Sequence, residues 1–446
     1  MGVTDVQQDS CQMICKAAKC GDLAKLKDII SRGGCCNSPD TKNGWSALMF
    51  AASGGHLDVV TYLTEHGADT NATSDFGHTA LHLASARGHY ECVKYLLKFA
   101  KSIDTEAING SALSLAVLRG HRKVAELLLE AGCDARSGKT LRHAIVSSNI
   151  NILHWLLTKM PENSTRSVIN GGESMSKVSE QAPIHVATVR GNTEAVTLLL
   201  YYGADCNATD QNGKIPLSLA TANNDIETLN CLLDHKDCDI NRADETPRKL
   251  NAVHVAAHMG HEKCLRILID NGANINNKDA MSVSPLLHAI STNRLTCASI
   301  LVTEGCKLDC IGQLVSDRSF LYRTTPLELA LRKGHVFLAN MLISAGCKTR
   351  HLSPGLIHSR PWLQERLSKP QSLMDLSRVC VRRHLGPGLS KVLPGLVLPP
   401  GLKALLLLKD LSLNICDGEP VPDAATWLYT YGITTSFDHH MFASAA

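Results

Sequence analysis

The chain has few aromatic residues, little net charge and no long uninterrupted apolar segment. Aromatic side chains make up 4% of its 446 residues, so aliphatic residues and alanine must pack the core. A formal net charge of +3 is too small to indicate a nucleic-acid or membrane partner. The most apolar run, residues 392–408, is interrupted by prolines and a lysine and is too short to span a bilayer. The first residues lack a basic and apolar leader, so we expect no secretory signal.

The seventeen cysteines do not follow the pattern of a disulfide-rich or zinc-binding protein. No Cys-x-x-Cys pair occurs, and the number is odd. Cys133, Cys306 and Cys347 instead follow a helix-ending glycine, at a position that is alanine elsewhere in the sequence. A thiol at such a position behaves as a small hydrophobe. We therefore expect free thiols and an intracellular location, in the reducing cytoplasm.

One sequence pattern, seen most clearly from Ala182 to Asn207, recurs along the chain. An apolar residue is followed three positions later by alanine, then by a glycine turn, a leucine-rich run and a final Gly-Ala or Gly-Cys. Several copies are spaced by 33 residues, for example Leu48 and Leu81. The apolar anchors are Ile14, Leu48, Leu81, Leu113, Leu141, Ile184, Leu217, Val253, Leu286 and Leu327.

This pattern closely resembles ankyrin repeats. The first-helix sequence is clear in residues 79–84, and the turn between helices is Gly-His at several positions, including Gly55-His56. Glycine supplies the left-handed conformation at helix ends. One repeat cannot bury its apolar side, whereas stacked repeats share a core. The resemblance implies an all-α, ankyrin-repeat solenoid at residues 11–350, with about ten helix-turn-helix repeats and β-hairpin fingers.

Two insertions interrupt the predicted array. Leu141 and Ile184 are 43 residues apart, and Leu286 and Leu327 are 41 apart, where the usual step is 33. Insertions in repeat arrays map to loops on one face, often the binding face. They are also tolerated as surface drift, because lengthening a loop costs little free energy.

Four aromatic residues are candidates for binding a target protein. Phe320 and Tyr322 lie in the second insertion, and Trp45 and Phe76 lie beside glycines of their fingers. Trp45 and Phe76 either contact a partner or brace the hairpin, and the sequence favours neither interpretation.

Histidine recurs at one position of the repeat, as His82, His185, His254 and His288. In ankyrin repeats this histidine hydrogen-bonds the backbone of a neighbouring hairpin, so the resemblance implies a structural role. No phosphate-binding loop, nucleophile elbow or paired-carboxylate motif appears. We therefore expect no catalytic residue, no cofactor and no metal.

The period ends after Lys348, and residues 351–369 are predicted to form a short helix and a linker. Residues 372–385 then have apolar side chains at helical spacing, with a Ser372 capping signal and a Gly-Pro-Gly stop. On periodicity alone this is an amphipathic helix that caps the last repeat. Its sequence, Ser-Leu-x-x-Leu-x-Arg-x-x-Val-Arg-Arg, followed by the Leu-Pro-rich residues 396–403, is similar to a SOCS box.

An array followed by such a box, at residues 370–409, resembles the ankyrin repeat and SOCS box family. In that family the first helix of the box binds elongin C, and the Leu-Pro-rich element selects cullin 5. The implied elongin C-binding residues are Leu373, Leu376, Ser377 and Val381. The implied cullin-binding residues are Leu396, Leu398 and Pro399.

The resemblance implies a substrate-recognition adaptor of an elongin B/C–cullin–RING ubiquitin ligase. The array would bind an unknown protein substrate, and the box would join elongin B/C, cullin 5 and its RING protein. The adaptor would perform no bond chemistry. The alternative is a non-ligase ankyrin scaffold whose C-terminal helix is a cap. We expect residues 1–10 to be disordered and residues 410–446 to form a flexible tail.

Overall fold

The computed structural model describes residues 3–40, 42–135, 138–160, 162–171, 181–315, 321–368 and 379. Two compact units make up the chain. The first is Met1–Ala220 with Glu227–Cys238, and the second is Thr221–Ile226 with Asp239–Ala446.

Short helices follow one another along the chain, with one pair of strands near the C-terminal end of the array. The first thirteen helices are α1 (Val3–Cys20), α2 (Leu23–Ser31), α3 (Ala47–Gly54), α4 (Leu57–Glu65), α5 (Ala80–Arg87), α6 (Tyr90–Leu96), α7 (Ala112–Leu118), α8 (Arg122–Glu130), α9 (Gly138–Val146), α10 (Ile150–Lys159), α11 (Glu162–Ile169), α12 (Pro183–Val189) and α13 (Thr193–Tyr201). The remaining elements are α14 (Pro216–Ala222), α15 (Ile226–Leu233), α16 (Ala252–Met259), α17 (Glu262–Asp270), α18 (Pro285–Ser291), α19 (Leu295–Thr303), β1 (Gly312–Val315), β2 (Leu321–Thr324), α20 (Pro326–Arg332), α21 (Val336–Ser344), α22 (Pro354–His358) and α23 (Pro361–Ser368).

The first helix of many repeats begins at a capping side chain. Ser46 accepts a hydrogen bond from the backbone N–H of Met49 at 3.3 Å, and Asn251 accepts one from that of His254 at 3.1 Å. These bonds satisfy N–H groups that have no partner within the helix. Helices α12, α18 and α20 also carry proline in the first turn, where no backbone donor is needed.

The predicted core pattern is confirmed. All ten apolar anchors and the alanines three residues after them are buried, and the most exposed anchor, Leu81, is 5% exposed. Because alanine carries only a methyl group, neighbouring first helices approach closely, and α5 packs against both α3 and α7. Second-helix residues such as Leu63 and Leu128 are fully buried in the same core. Each such leucine contributes about 1.5–3 kcal/mol.

In the N-terminal part of the array, the Gly-His turn connects a repeat to the one before it. Gly55 has φ +76°, and a Cβ added there would lie 2.5 Å from the His89 ring of the following repeat. The His89 Nε2–H donates to the Ser53 carbonyl at 3.1 Å. Gly88 and His121 repeat the close approach one period later. Glycine is therefore required twice, for its backbone angle and for the space that the histidine fills.

Asparagine and aspartate side chains form a second connection between neighbouring repeats. Asn37 Oδ1 accepts from the Asp69 N–H at 2.8 Å, and Asn37 Nδ2 donates to the Gly67 carbonyl at 3.0 Å. We call the repeated form of this contact the Asx ladder. Its other members, each bonded to the backbone of the next repeat, are Asn71, Asp104, Asn170, Asn207, Asn241, Asn276 and Asp309.

The two insertions contain regular structure in place of the expected loops. The first includes α11, and Asn170 at its end supplies a member of the Asx ladder. The second is an antiparallel hairpin in which Gly312 pairs with Thr324 and Val315 with Leu321. Because β1 and β2 pair their own backbone groups, the insertion lengthens the finger without leaving those groups unsatisfied.

Both ends of the array also differ from expectation. Helix α1 begins at Val3, within the stretch expected to be disordered, and no glycine or proline interrupts residues 3–10. Residues 351–368, where a short helix and a linker were expected, contain the two helices α22 and α23. Leu363 is fully buried, and the Arg366 guanidinium donates to Ser344 Oγ at 3.5 Å. These helices cover apolar surface that the last repeat cannot bury alone.

Substituting the two glycines that flank α4 separates the backbone cost from the steric cost. Gly67 has φ +85° and open space where a Cβ would project, so Gly67→Ala should lose about 1 kcal/mol of unfolding free energy. Gly55→Ala should lose about 1–2 kcal/mol more, because it displaces His89 and breaks its hydrogen bond. Urea unfolding followed by circular dichroism measures both. Equal losses would contradict the steric role of His89.

Candidate functional site

The tips of successive fingers are joined through their backbones. The Asp75 N–H donates to the Asn43 carbonyl at 3.2 Å, and the Ile108 N–H donates to the Phe76 carbonyl at 3.1 Å. Residues at the tips therefore have a fixed spacing from one repeat to the next, which suits an extended binding surface. In the second unit the equivalent bonds run from Ala280 to Arg248 and from Gln313 to Met281.

Trp45 and Phe76 have different surroundings. Trp45 is half-buried, with its ring centroid 5.1 Å from that of Phe50, and its backbone N–H donates to Asp40 Oδ1 at 2.9 Å. These contacts are those of a residue that braces its own finger. Phe76 is 51% exposed and projects from the next fingertip.

Ile108 is a surface residue that the sequence analysis missed. It is 70% exposed, on the finger beside Phe76, and its backbone is bonded to that of Phe76. Two exposed apolar side chains on neighbouring tips form a patch of the kind that marks protein interaction sites. The signal that could have found Ile108 is its position two residues before the finger glycine Gly110. Asp75 lies two residues before Gly77, so this tip position is polar in one repeat and apolar in the next.

The hairpin of the second unit carries another candidate. Tyr322 on β2 is half-buried, and the Arg332 guanidinium carbon lies 5.7 Å from its ring centroid. Arg332 in turn donates to Glu328 Oε1 at 2.7 Å, so the tyrosine ring has a fixed cationic neighbour. Leu321, beside it, is 62% exposed. Phe320 lies outside the described residues.

The structural role predicted for the recurring histidines is confirmed at three of four positions. His82 Nε2–H donates to the Thr105 carbonyl at 2.9 Å, and His185 makes the same bond to Ala208 at 3.0 Å. His254 Nε2–H donates to the Val283 carbonyl at 3.2 Å. Burial lowers the pKa of all three histidines, and that of His254 falls to about 4.

His288 departs from the pattern, because it donates to Asp279 Oδ2 at 3.0 Å instead of to a backbone carbonyl. Both side chains are almost completely buried. The other carboxylate oxygen accepts from the N–H groups of Met281 and Val283 at 2.9 and 2.7 Å. Burial raises the pKa of Asp279, but these hydrogen bonds and the His288 charge outweigh it and hold the pKa below its ordinary value.

The Asp279–His288 pair closes the turn of its own finger, since every bond that the carboxylate makes stays within residues 279–288. The His254 and His258 rings meet His288 edge-on at 5.5 and 5.7 Å. Within the described ranges, no group of three or more His, Cys, Asp or Glu side chains is arranged to hold a metal ion.

The residues implied to bind elongin C and cullin fall outside the described part of the chain. They are Leu373, Leu376, Ser377, Val381, Leu396, Leu398 and Pro399. Val379 is the only residue in this region that the structure describes. It is helical, and its side chain covers Gly346 at the end of the array.

Comparison with protein families identifies both parts of the chain. A family model described as ankyrin repeats (3 copies) matches residues 14–109, 161–244, 184–279 and 218–311. A SOCS box model matches residues 369–407. No helix in the described ranges is long and apolar enough to cross a membrane.

Individual relatives resemble the repeat region. The chain is 28% identical to the nuclear factor NF-kappa-B p105 subunit of Gallus gallus, over 54% of this chain and 23% of that protein. It is 26% identical to the B-cell lymphoma 3 protein homolog of Mus musculus, over 45% of this chain and 44% of that one. The chain thus spans less than half of either relative. The human ASB11 ankyrin repeat domain aligns with 28% identity and a TM-score of 0.41, covering 50% of this chain and 97% of that domain.

Buried neutral histidines make the array sensitive to acid. The folded-state pKa of His254, about 4, lies below the unfolded value near 6.5, so the unfolded chain binds more protons between these limits. Stability is full above about pH 6.5 and is lost as the pH falls. From pH 7.5 to 5.0, His254 alone should account for about 2 kcal/mol of the lost unfolding free energy.

Urea unfolding of His254→Gln at the two pH values tests this expectation. The variant should be less stable at pH 7.5, because the imidazole no longer accepts from the Asn251 N–H or donates to the Val283 carbonyl, but its stability should fall less steeply with acid. His351→Gln, at an exposed position, is the control and should keep the wild-type slope. An unchanged slope in His254→Gln would assign the acid sensitivity to other groups.

Proposed function

The chain belongs to the ankyrin repeat and SOCS box family, and we propose that it is the substrate-recognition adaptor of an elongin B/C–cullin–RING ubiquitin ligase. The observation that carries the proposal is the SOCS box match at residues 369–407, on the C-terminal side of the repeats. In this function the repeats bind a target protein, and the box binds elongin C and recruits cullin 5 with its RING protein. The adaptor contributes proximity and orientation and performs no bond chemistry.

The contact of Val379 supports a proposed box helix in which one face packs on the array and another face binds elongin C. A Cβ at Gly346 would lie 2.7 Å from the Val379 methyl groups, so this valine packs directly on the end of the array. On a regular helix, which turns about 100° per residue, Leu373, Ser377 and Val381 would lie about 120°, 160° and 200° from Val379. Leu376 would lie about 60° from it, nearer the array. In the proposed function, Leu373, Ser377 and Val381 would therefore be the part of the helix that contacts elongin C.

Leu373 is the main anchor in this proposal. Full burial of a leucine side chain in a pocket contributes about 1.5–3 kcal/mol. Ser377 stands where the family usually has cysteine, and a buried hydroxyl without a partner costs about 1–3 kcal/mol. We therefore expect Ser377 to weaken binding to elongin C without abolishing it. Leu376 and Val381 would complete the contact, and Leu396, Leu398 and Pro399 would contact cullin 5.

For the target protein we propose the fingertips as the contact surface. Phe76 and Ile108 form the exposed apolar patch of the first unit. In the second unit the proposed contacts are Tyr322 and Phe320, together with the exposed Leu321 that separates them in the sequence. Trp45 contributes less, because its ring already packs on Phe50.

A non-ligase scaffold is the second candidate. It is favoured by the contact of Val379 with Gly346 and by the buried Leu363, since both are expected of a C-terminal cap. The two functions differ in what they require of Leu373. An adaptor needs it exposed for elongin C, and a cap needs it buried against the last repeat.

Co-purification with elongin B–C distinguishes these functions. The wild-type chain should retain elongin B–C, and Leu373→Asp should lose it with unchanged unfolding of the array, because a charge cannot enter an apolar pocket. Val379→Asp is the matched control on the same segment. It should destabilise the end of the array and still retain elongin B–C. Loss of stability in both variants, with no elongin B–C bound to the wild type, would establish the cap.

Site-specific photo-crosslinking tests the proposed target surface. A photoreactive residue at Ile108 should capture a protein that remains attached to the chain, and Phe76→Ser in the same molecule should reduce that capture at least fivefold. Tyr201, 83% exposed on α13, is the control position. Capture of the same protein at Tyr201 and at Ile108 would contradict a fingertip site. Retention of elongin B–C by each variant would show that its box is intact.

A further inference from the structure

Two cysteines from neighbouring repeats meet in the first unit. Cys206 lies in the turn after α13, and Cys238 lies in the turn after α15. The Cys206 sulfur is hydrogen-bonded to the Cys238 thiol and lies 3.8 Å from Nδ1 of His235. We call these three residues the thiol cluster.

The backbone holds the thiol cluster in place. Asn207, a member of the Asx ladder, donates through Nδ2 to the Asp237 carbonyl. The Cys238 N–H donates to the His235 carbonyl at 3.0 Å, which closes the turn that carries both side chains. The meeting of the two sulfurs is therefore fixed by the repeat architecture and does not depend on a mobile loop.

The equivalent positions of several other repeats do not carry a pair of thiols. The residue equivalent to Cys206 is Thr70, Ile240 or Ile275 in those repeats, and the position of Cys238 is alanine at Ala68 and Ala273. Here the same stacking geometry juxtaposes two thiols with an imidazole.

The surroundings of Cys206 favour the thiolate. The hydrogen bond from Cys238 lowers its pKa most, burial opposes the change, and the His235 hydrogen bond and charge lower it further, to about 7. Burial has the opposite result at isolated thiols, raising the pKa of Cys92 and Cys297 to about 11. The Cys206 thiol therefore ionises more readily than an ordinary cysteine.

The thiol cluster lies near the surface. Cys206 itself is 1% exposed, but both of its partners, His235 and Cys238, are half-buried and reach the surface. The proposal requires that a molecule as small as hydrogen peroxide pass beside these two side chains.

We propose that Cys206 and Cys238 form a reversible redox site, which hydrogen peroxide converts to a disulfide between neighbouring repeats. The Cys206 thiolate attacks one peroxide oxygen, the O–O bond breaks, and hydroxide leaves and is protonated to water. Cys206 is then a sulfenic acid. The Cys238 sulfur attacks it, the S–S bond forms, the S–O bond breaks, and a second water carries away the thiol proton. Two thiols and one peroxide give one disulfide and two waters.

Oxidation ties the bases of two successive fingers together covalently. It also removes the thiolate that accepts the His235 hydrogen bond, so the turn that carries His235 loses a contact. A thiol reductant reverses the reaction by exchange. The site goes beyond the proposed adaptor function, because it requires neither elongin nor a target.

Peptide mapping of the full chain tests the proposal. After treatment with a small excess of peroxide at pH 7, alkylation and trypsin digestion, mass spectrometry should find the peptides containing Cys206 and Cys238 linked, with two hydrogen atoms lost. Dithiothreitol should release them. The rate should fall about tenfold from pH 8 to pH 6, following the thiolate. Cys20 and Cys35 are exposed and report general oxidation. If they are oxidised and the Cys206–Cys238 link is absent, the proposal is overturned.

Two substitutions assign the order of steps. In Cys238→Ser the reaction should stop at a sulfenic acid on Cys206, which dimedone traps, whereas Cys206→Ser should give no such adduct at Cys238. Cys133→Ala is the control, because Cys133 occupies the same repeat position as Cys238 and burial raises its pKa to about 12. It should leave the linked peptide unchanged. A Cys206–Cys238 link that formed equally fast at pH 6 and pH 8 would overturn the thiolate mechanism.

Discussion

The Asx ladder is the contact on which the rest of the array depends. At eight junctions of the described chain, a side-chain oxygen or amide binds the backbone of the following finger, about one period further along. Each such bond is worth only about 1 kcal/mol net. Its geometric effect is larger, because it sets the distance at which one repeat meets the next. At that distance the first-helix alanines touch and the second-helix leucines fill the gap, and a single repeat could bury neither set alone.

The surfaces proposed for binding are consequences of the same stacking. Phe76 and Ile108 are neighbours because their fingers are joined through the backbone, and the fingers are joined because their bases are held by the ladder. The thiol cluster has the same origin, since Asn207 bonds to the turn that presents Cys238. Variation of side chains on this regular framework produces an apolar patch at one place and a pair of sulfurs at another, without any change of backbone.

The repeated features were predictable and the singular ones were not. Recurrence identified the apolar anchors and the alanines, because each repeat needs them to bury its core, and it identified the Gly-His turns, which recur in several repeats. Asn207 belongs to the repeated motif, yet its partner is visible only in three dimensions. The hairpin of β1 and β2, the buried Leu363 and the Asp279–His288 pair each occur once. Such features depend on tertiary contacts, and a repeated sequence pattern cannot predict contacts that do not repeat.

The proposed adaptor function requires rigidity at the C-terminal end of the array, and the packing there supplies it. A linker at residues 351–369 would let the box move relative to the bound target, and orientation would contribute little to ubiquitin transfer. Instead α22 and α23 follow the last repeat, Leu363 is buried, and the Arg360 guanidinium donates to the Leu331 carbonyl. Val379 then packs on Gly346, which lies two residues after the end of α21. In the proposed function, packed side chains would therefore set the separation between target and ligase.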